Sequence, residues 1–202
     1  MKVVATVSLA GFPDWKMCME KLRNQVDEIC VRIDGLKDPN AQLYEEVMDS
    51  KLSNFVVTTF QSWNRWNWRE DMARMADAKK PDIVLTPDQD EVYTDEIITD
   101  LSEFYKSNCK TMIFNYHSPM PTDDGRDIPE LNGNPYPSMP HCKGYRWQDR
   151  ITYNPYVGRA IPTSYFGHPE YNCKSKILHY CMFTKELEEQ KKKWVINEYG
   201  IF

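Results

Sequence analysis

Apolar residues in this chain form short unbroken runs, separated by segments in which they recur at helical spacing. The run at 3–9 (VVATVSL) is continuous and rich in β-branched residues, which is typical of an interior parallel strand covered on both faces. A helix is predicted over 14–25, with its apolar side chains on one face, and a second strand over 28–35 (EICVRIDG). Strand, helix and strand together predict a βαβ unit with a right-handed crossover.

The alternation of strands and helices continues along the rest of the chain. Further strands are predicted at 55–60, 83–85, 111–116, 141–147 and 177–183, and further helices near 39–52, 68–80, 97–105 and 185–193. We expect the strand at 141–147 to be antiparallel and near an edge of the sheet, because its apolar and polar residues alternate. The stretches 118–140 and 153–171 are predicted to be irregular, since they are rich in proline and glycine. The chain is therefore predicted to be a single α/β domain with a mostly parallel central sheet flanked by helices.

Composition narrows the class of protein. Charged residues make up 27% of the 202 residues and the net charge is −5, which indicates a globular chain and gives no support for non-specific nucleic-acid binding. The six cysteines show no C-x-x-C spacing, so we expect reduced thiols in a cytoplasmic protein. No apolar run approaches the roughly 20 residues that a transmembrane helix needs. We interpret the apolar N-terminus as a first strand and not as a signal peptide.

Three carboxylates follow the buried strand at 83–85, in the sequence Asp88-Gln89-Asp90-Glu91. Open α/β sheets bind their ligands at the C-terminal ends of their strands, which is where these acids are expected to lie. Like charges this close repel one another, and a divalent cation bound by oxygen ligands would offset the repulsion. Alternatively, the acids favour the N-terminus of the following helix through its macrodipole. The acidic run by itself supports both interpretations.

Other candidate residues stand at the ends of predicted strands. Asp34 ends the strand at 28–35, either as part of an Asp-Gly turn or as a hydrogen-bond acceptor for a nucleotide base or ribose. Trp63 and Trp66 lie in the next such loop, where they either pack in the core or stack on a sugar or base. Arg65 and Arg69 suit a diphosphate or the acidic run, because both require fixed positive charge.

Six segments of the chain, taken in order, carry a resemblance to a known family. They are VVATVSL with its helix, ICVRIDG, WNWREDMARMADA, DIVLTPDQDE, HCKGYRW and ILHYCMFTKELEEQKKKW. This order resembles a family 2-type glycosyltransferase domain of the GT-A fold, over most of the chain from Met1 to about Trp194. The resemblance implies one Rossmann-like nucleotide-diphospho-sugar transferase domain over 1–202. Its nucleotide-binding part would span about 1–105 and its acceptor side about 106–202.

The resemblance also implies a metal site. By position in the family, Asp90 would ligate a divalent metal, and Asp88 would bind the ribose or reach the metal through water. His179 would complete the site, although a histidine on a buried strand is ordinarily a satisfied core residue. Carboxylates together with an imidazole suit Mn²⁺ somewhat better than Mg²⁺.

The remaining roles follow in the same way. Asp34 would contact the nucleotide base with Ser8 near it, and Arg69 would lie beside the nucleotide or the acidic run. A carboxylate base is needed for an inverting transfer, and Asp149 and Glu170 are the candidates. The late Glu-Asp pair of many family members is not apparent, which leaves the base and the stereochemistry open.

The function predicted on this basis is metal-dependent transfer of a sugar from a nucleoside-diphosphate sugar, first among them a UDP-sugar, to an acceptor hydroxyl. The acceptor is a glycan, a hydroxylated nucleobase or a protein. The long loop at 118–140 is expected to act as a lid that becomes ordered on binding. Two alternatives stay open, a metal-dependent nucleotidyltransferase and a non-catalytic sugar- or nucleotide-binding module.

Overall fold

The three-dimensional structure is a computed structural model, which describes residues 1–9, 15–34, 45–47, 58–60, 67–117, 141–148, 163–165, 167–179, 189 and 193. The strands are β1 (Val3–Leu9), β2 (Glu28–Asp34), β3 (Thr58–Phe60), β4 (Ile83–Leu85), β5 (Glu91–Tyr93), β6 (Thr111–His117), β7 (His141–Arg146) and β8 (Glu170–His179). The helices are α1 (Trp15–Arg23), α2 (Asn67–Asp77) and α3 (Ile97–Lys106), with a 3-10 turn at Thr163–Tyr165. Trp63, Trp66, Asp149 and the predicted lid at 118–140 lie outside the described residues.

The eight strands form one sheet in the order β3-β2-β1-β4-β7-β6-β8-β5. Strands β1, β2, β3 and β4 pair in parallel, and β6 pairs in parallel with β8. Strand β7 is antiparallel to β4 and β6, and β5 is antiparallel to β8, so six strands run in one direction and two in the other. The predicted α/β class with a mostly parallel sheet is confirmed. We call the edge at which β1, β2 and β4 end the carboxyl edge.

The two faces of the sheet differ in polarity along its strands. On one face, Val7 and Leu9 of β1 join an apolar core that includes Leu22 of α1 and Phe104 of α3. On the opposite face, near the amino ends of the strands, buried residues of the sheet pack against Met75 and Ala76 of α2. These sheet residues are Val4, Cys30 and Val84. Toward the carboxyl edge this second face becomes polar, because the next positions along β1, β2 and β4 are Thr6, Arg32 and Thr86, all buried. The polar end of the face therefore coincides with the edge where ligands bind in such folds.

Three sequence predictions about strands need correction. Strand β7 is antiparallel as expected, but it lies between β4 and β6 and not near an edge. The short strand β5 begins at Glu91, the last residue of the acidic run, where no strand was predicted. Strand β8 begins at Glu170, although irregular structure was predicted as far as residue 171.

A buried carboxylate in α3 supports the middle of β8, at Lys174 and Ser175. Asp100 is 0% exposed and accepts hydrogen bonds from Ser175 N (2.7 Å), Ser175 Oγ (2.5 Å) and Lys174 N (3.1 Å). Ser175 can therefore occupy an inward position of β8 that an apolar residue would ordinarily take. Within the described residues, no helix has the length and apolar character to cross a membrane.

Replacing Asp100 with alanine should lower the free energy of unfolding by about 2–3 kcal/mol, since it leaves the buried Ser175 donors without an acceptor. Urea unfolding followed by circular dichroism measures the change. Asp95→Ala, at an exposed position just before α3, is the matched control and should cost no more than about 0.5 kcal/mol. Equal effects of the two substitutions would contradict a structural role for Asp100.

Candidate functional site

The acidic run forms a closed turn at the carboxyl edge. Glu91 N donates a hydrogen bond to Asp88 O over 3.1 Å, which is the bond that closes a four-residue turn. Asp88 N in return donates to Glu91 Oε2 over 2.8 Å. We call residues Asp88 to Glu91 the acidic turn. The turn connects the end of β4 to β5, and these two hydrogen bonds between Asp88 and Glu91 fix its shape.

The positive charge beside this turn is the ammonium group of Lys143. Lys143 Nζ lies 2.7 Å from Asp88 Oδ2 and 3.0 Å from Glu91 Oε2, and the lysine side chain is only 6% exposed. Tyr116 donates its hydroxyl hydrogen to the other oxygen of Glu91, Oε1. The repulsion expected among these acids is therefore offset from within the chain, at least for Asp88 and Glu91.

A β-bulge explains how Lys143 reaches the turn. Met112 and Ile113 are consecutive on β6, but they pair with Gly144 and Cys142 on β7, so Lys143 is the extra residue between them. A bulge changes the direction in which the extra side chain points. The next position favours glycine, because a Cβ on Gly144 would lie 2.9 Å from Leu85 Cδ2 and 3.2 Å from Met112 Sδ, and these side chains would have to shift. Close packing of β4 and β6 on β7 thus accompanies the bulge.

The protonation states follow from this geometry. Burial would lower the pKa of Lys143, but the charges of Asp88 and Glu91 outweigh burial and hold that pKa above its ordinary value. Burial raises the pKa of Tyr116, and the neighbouring charge of Glu91 raises it further. Lys143 is therefore a permanent cation at neutral pH, and Tyr116 keeps its proton.

The three acids of the turn differ in what they can bind. Glu91 is 1% exposed, and both of its oxygens already accept hydrogen bonds. Asp90 is 5% exposed, whereas the Asp88 side chain is 52% exposed. Glu91 therefore anchors the turn. Asp88 is the most exposed of the three acids, and its role and that of Asp90 as metal ligands stay predictions.

The structure brings three other predicted residues toward the same edge. Ser8 lies near the end of β1, and Asp34 is the last residue of β2. Arg69 lies in the first turn of α2. The later part of α2 packs near the amino ends of the strands, because Cys30 Sγ donates to Met75 O. The start of α2 consequently points toward the carboxyl edge. The side chains of Asp34 and Arg69 lie outside the described part of the structure.

His179 also comes close to the acidic turn along the backbone. It is the last residue of β8 and pairs directly with Glu91 of β5, which places it one register position from Asp90. Its side chain is not among those described, so its role as a metal ligand stays a prediction.

Glu170 is not brought to this site. It is the first residue of the strand that ends at His179, and it pairs with Thr111 at the start of β6. Roughly 30 Å of strand separates the two ends of β8 at the usual rise per residue. Glu170 is therefore poorly placed to act as a base beside Asp88 and Asp90. Asp149, the other predicted base, lies outside the described residues.

The described residues contain no group of three or more histidine, cysteine, aspartate or glutamate side chains arranged to hold a metal. Asp88 and Asp90 nevertheless supply two carboxylates in one turn. Mg²⁺ is commonly bound by one or two carboxylates together with waters and the phosphates of a substrate. The donor set thus fits a metal that binds together with a nucleotide better than one held by protein alone.

Sequence reasoning missed Lys143 and Tyr116. The segment HCKGYRW was interpreted as a basic strand, but the bulge that gives Lys143 its direction depends on pairing with β6. The available signal was a lysine followed by glycine inside a strand, since glycine there often indicates a bulge.

No protein-family model matches the sequence, and no curated protein is significantly similar to it. Among solved structures, the chain is similar to 4-diphosphocytidyl-2C-methyl-D-erythritol synthase from Anaerococcus prevotii, with a TM-score of 0.56, 12% identity and 96% of each chain covered. It is also similar to HddC from Yersinia pseudotuberculosis, solved in complex with GMP-PN, with a TM-score of 0.51, 9% identity, and 96% of this chain and 100% of that one covered.

A third similarity is to S. aureus TarS 1-349, with a TM-score of 0.41 and 18% identity over 64% of this chain. The chain spans 39% of that structure's length, and the overlap is too limited to support an argument. The similarities to the synthase and to HddC, at 9–12% identity, establish the fold alone. That fold is a single Rossmann-like α/β domain, as the sequence predicted.

Removing the hydroxyl group of Tyr116 tests the anchoring role of Glu91. Tyr116→Phe should lower the free energy of unfolding by about 1–2 kcal/mol, because it leaves a buried carboxylate oxygen without that donor. Chemical unfolding measures the loss. Tyr105→Phe, on an exposed residue of α3, is the control and should change stability by less than about 0.5 kcal/mol. An unchanged stability for Tyr116→Phe would show that the hydroxyl does not hold the turn.

Proposed function

We propose that the chain is a metal-dependent glycosyltransferase that moves a sugar from a nucleoside-diphosphate sugar to an acceptor hydroxyl. The observation that carries the proposal is the acidic turn, whose backbone is fixed at the carboxyl edge by the two hydrogen bonds between Asp88 and Glu91 and which carries both Asp88 and Asp90. Ligands of α/β sheets bind at this edge. The proposed donor is a UDP-sugar, and the acceptor a glycan, a hydroxylated nucleobase or a protein.

The residues of the site suit this chemistry. When bound, Mn²⁺ or Mg²⁺ supplies positive charge that neutralises the departing nucleoside diphosphate. Glu91 fixes the backbone of the turn beforehand through Lys143 and Tyr116, so the loop that carries Asp88 and Asp90 keeps its shape when a ligand binds. We propose that Ser8, near the end of β1, and Asp34, the last residue of β2, contact the nucleoside, and their positions in the two strands support this.

A nucleotidyltransferase is the second candidate. The observation in its favour is the similarity, over 96% of both chains, to a synthase of a diphosphocytidyl compound. That reaction class uses a nucleoside triphosphate, whose phosphates are often bound by successive backbone N–H groups of a glycine-rich loop. The connection from β1 to α1, residues 10–14 (AGFPD), contains one glycine and one proline. Because proline has no N–H, this sequence favours the glycosyltransferase.

The metal assignment predicts that nucleoside diphosphate binding depends on Asp90. In Mn²⁺, Asp90→Asn should weaken UDP or GDP binding by about tenfold or more, since it removes a ligand charge and keeps the shape. Isothermal titration calorimetry measures the affinity. Asp95→Asn, five positions along the chain, is the charge-matched control and should bind like the parent. Parental affinity in Asp90→Asn would remove the metal site from the proposal.

The two candidate functions differ in the nucleotide that they bind. A thermal-shift panel of UDP-, GDP-, CMP- and dTDP-sugars and of the nucleoside triphosphates, with and without Mn²⁺, separates them. We expect a sugar nucleotide to raise the melting temperature in Mn²⁺ and to be hydrolysed slowly to its nucleoside diphosphate. Stabilisation by a triphosphate alone, with release of pyrophosphate, would favour the nucleotidyltransferase.

A further inference from the structure

Asp88 is subject to two competing demands. Its Oδ2 lies 2.7 Å from Lys143 Nζ, whereas the proposed function requires the same carboxylate to approach a divalent cation. A second cation beside this ammonium meets like-charge repulsion. Lys143 and a metal therefore compete for Asp88.

Lys143 is the partner that cannot move away. Its ammonium is also held by Glu91, and its carbonyl oxygen accepts hydrogen bonds from Thr86 N (2.8 Å) and from the Tyr93 hydroxyl (3.1 Å). The Asp88 side chain, in contrast, is 52% exposed. Any exchange of partners must therefore take place by movement of Asp88.

We propose that Lys143 is the built-in counter-ion of the acidic turn and that it excludes a free divalent cation from Asp88. A nucleoside diphosphate overcomes this exclusion, because its phosphates bring negative charge that offsets the repulsion between Lys143 and the metal. Metal and nucleotide consequently bind together and not one after the other. The inference rests on the proposed function only in placing the cation at Asp88 and Asp90. Lys143 acts through Asp88 and is a positioning residue.

The test removes the lysine without leaving a buried charge. Lys143→Met alone would strand Glu91 in the protein interior, and such a variant often fails to fold. The double variant Glu91→Gln/Lys143→Met removes one positive and one negative charge, so the net charge of the site is unchanged. The introduced amide oxygen can accept from Asp88 N, and its NH₂ group can donate to the Tyr116 hydroxyl oxygen.

Binding of Mn²⁺ without nucleotide is the readout, measured by electron paramagnetic resonance of the free ion. The double variant should bind Mn²⁺ at least about fivefold more tightly than the parent, as expected from release of a half-exposed ion pair. Glu91→Gln/Lys143→Arg retains the cation and should bind as weakly as the parent. Adding Asp88→Asn to the double variant should abolish the gain, because the effect passes through Asp88. Equal Mn²⁺ affinity in the Met and Arg variants, or a gain that persists with Asp88→Asn, would overturn the proposal.

A second measurement does not depend on changing the core. In the parent background, Asp88→Asn should alter free Mn²⁺ binding by less than about twofold, since Lys143 already occupies that carboxylate. A clear loss of free Mn²⁺ binding in this single variant would contradict exclusion by Lys143. The proposed function fails separately, if UDP with Mn²⁺ does not bind the parent, and the free-Mn²⁺ comparison still decides the role of Lys143.

Discussion

The buried ion pair between Lys143 and Glu91 fixes the arrangement of the carboxyl edge. Removing a charged group from water costs several kcal/mol, and the cost is offset only when the partner and the remaining hydrogen bonds are in place. Here the partner comes from β7, and the other bonds to Glu91 come from Asp88 N and the hydroxyl group of Tyr116. The acidic turn, β6 and β7 therefore have to assemble together. As a result, the turn has a defined shape before any ligand binds.

The domain contains a second buried carboxylate whose charge is balanced differently. Asp100 accepts hydrogen bonds from the backbone N–H groups of Lys174 and Ser175 and from the Ser175 hydroxyl. These bonds use both oxygens of Asp100, and the Tyr171 hydroxyl, which also donates to Glu103, lies 3.2 Å from Asp100 Oδ1. Both oxygens of Glu91 also accept hydrogen bonds, but its ion-pair partner, Lys143, is shared with the half-exposed Asp88. The sharing connects a structural ion pair to Asp88, a proposed metal ligand, whereas Asp100 is held mainly by the hydrogen bonds of β8.

The parts of the fold that were predictable depend on local patterns. The strands at 3–9 and 83–85 were predicted correctly because residues covered on both faces form continuous apolar runs. The first part of β8 was missed, since a buried serine breaks the apolar pattern there and its partner, Asp100, lies 75 positions earlier in the chain. The position of the acidic turn was also predictable. Its counter-ion was not, because Lys143 lies 55 positions from Asp88 and its direction depends on a bulge set by β6.

The contacts of Glu91 explain why the acidic turn has two aspartates followed by a glutamate. Asp88 and Asp90 occupy the first and third positions of a four-residue turn, and the fourth residue, Glu91, re-enters the sheet opposite His179. The fourth side chain must reach both Lys143 and Tyr116 from a backbone already fixed in β5. An aspartate there would be one methylene shorter and could make both contacts only if the strand moved. Asp88 reaches Lys143 from the first position of the turn with the shorter aspartate side chain. The order of short and long carboxylates thus distinguishes the two aspartates that we propose as ligands from the glutamate that holds the turn in place.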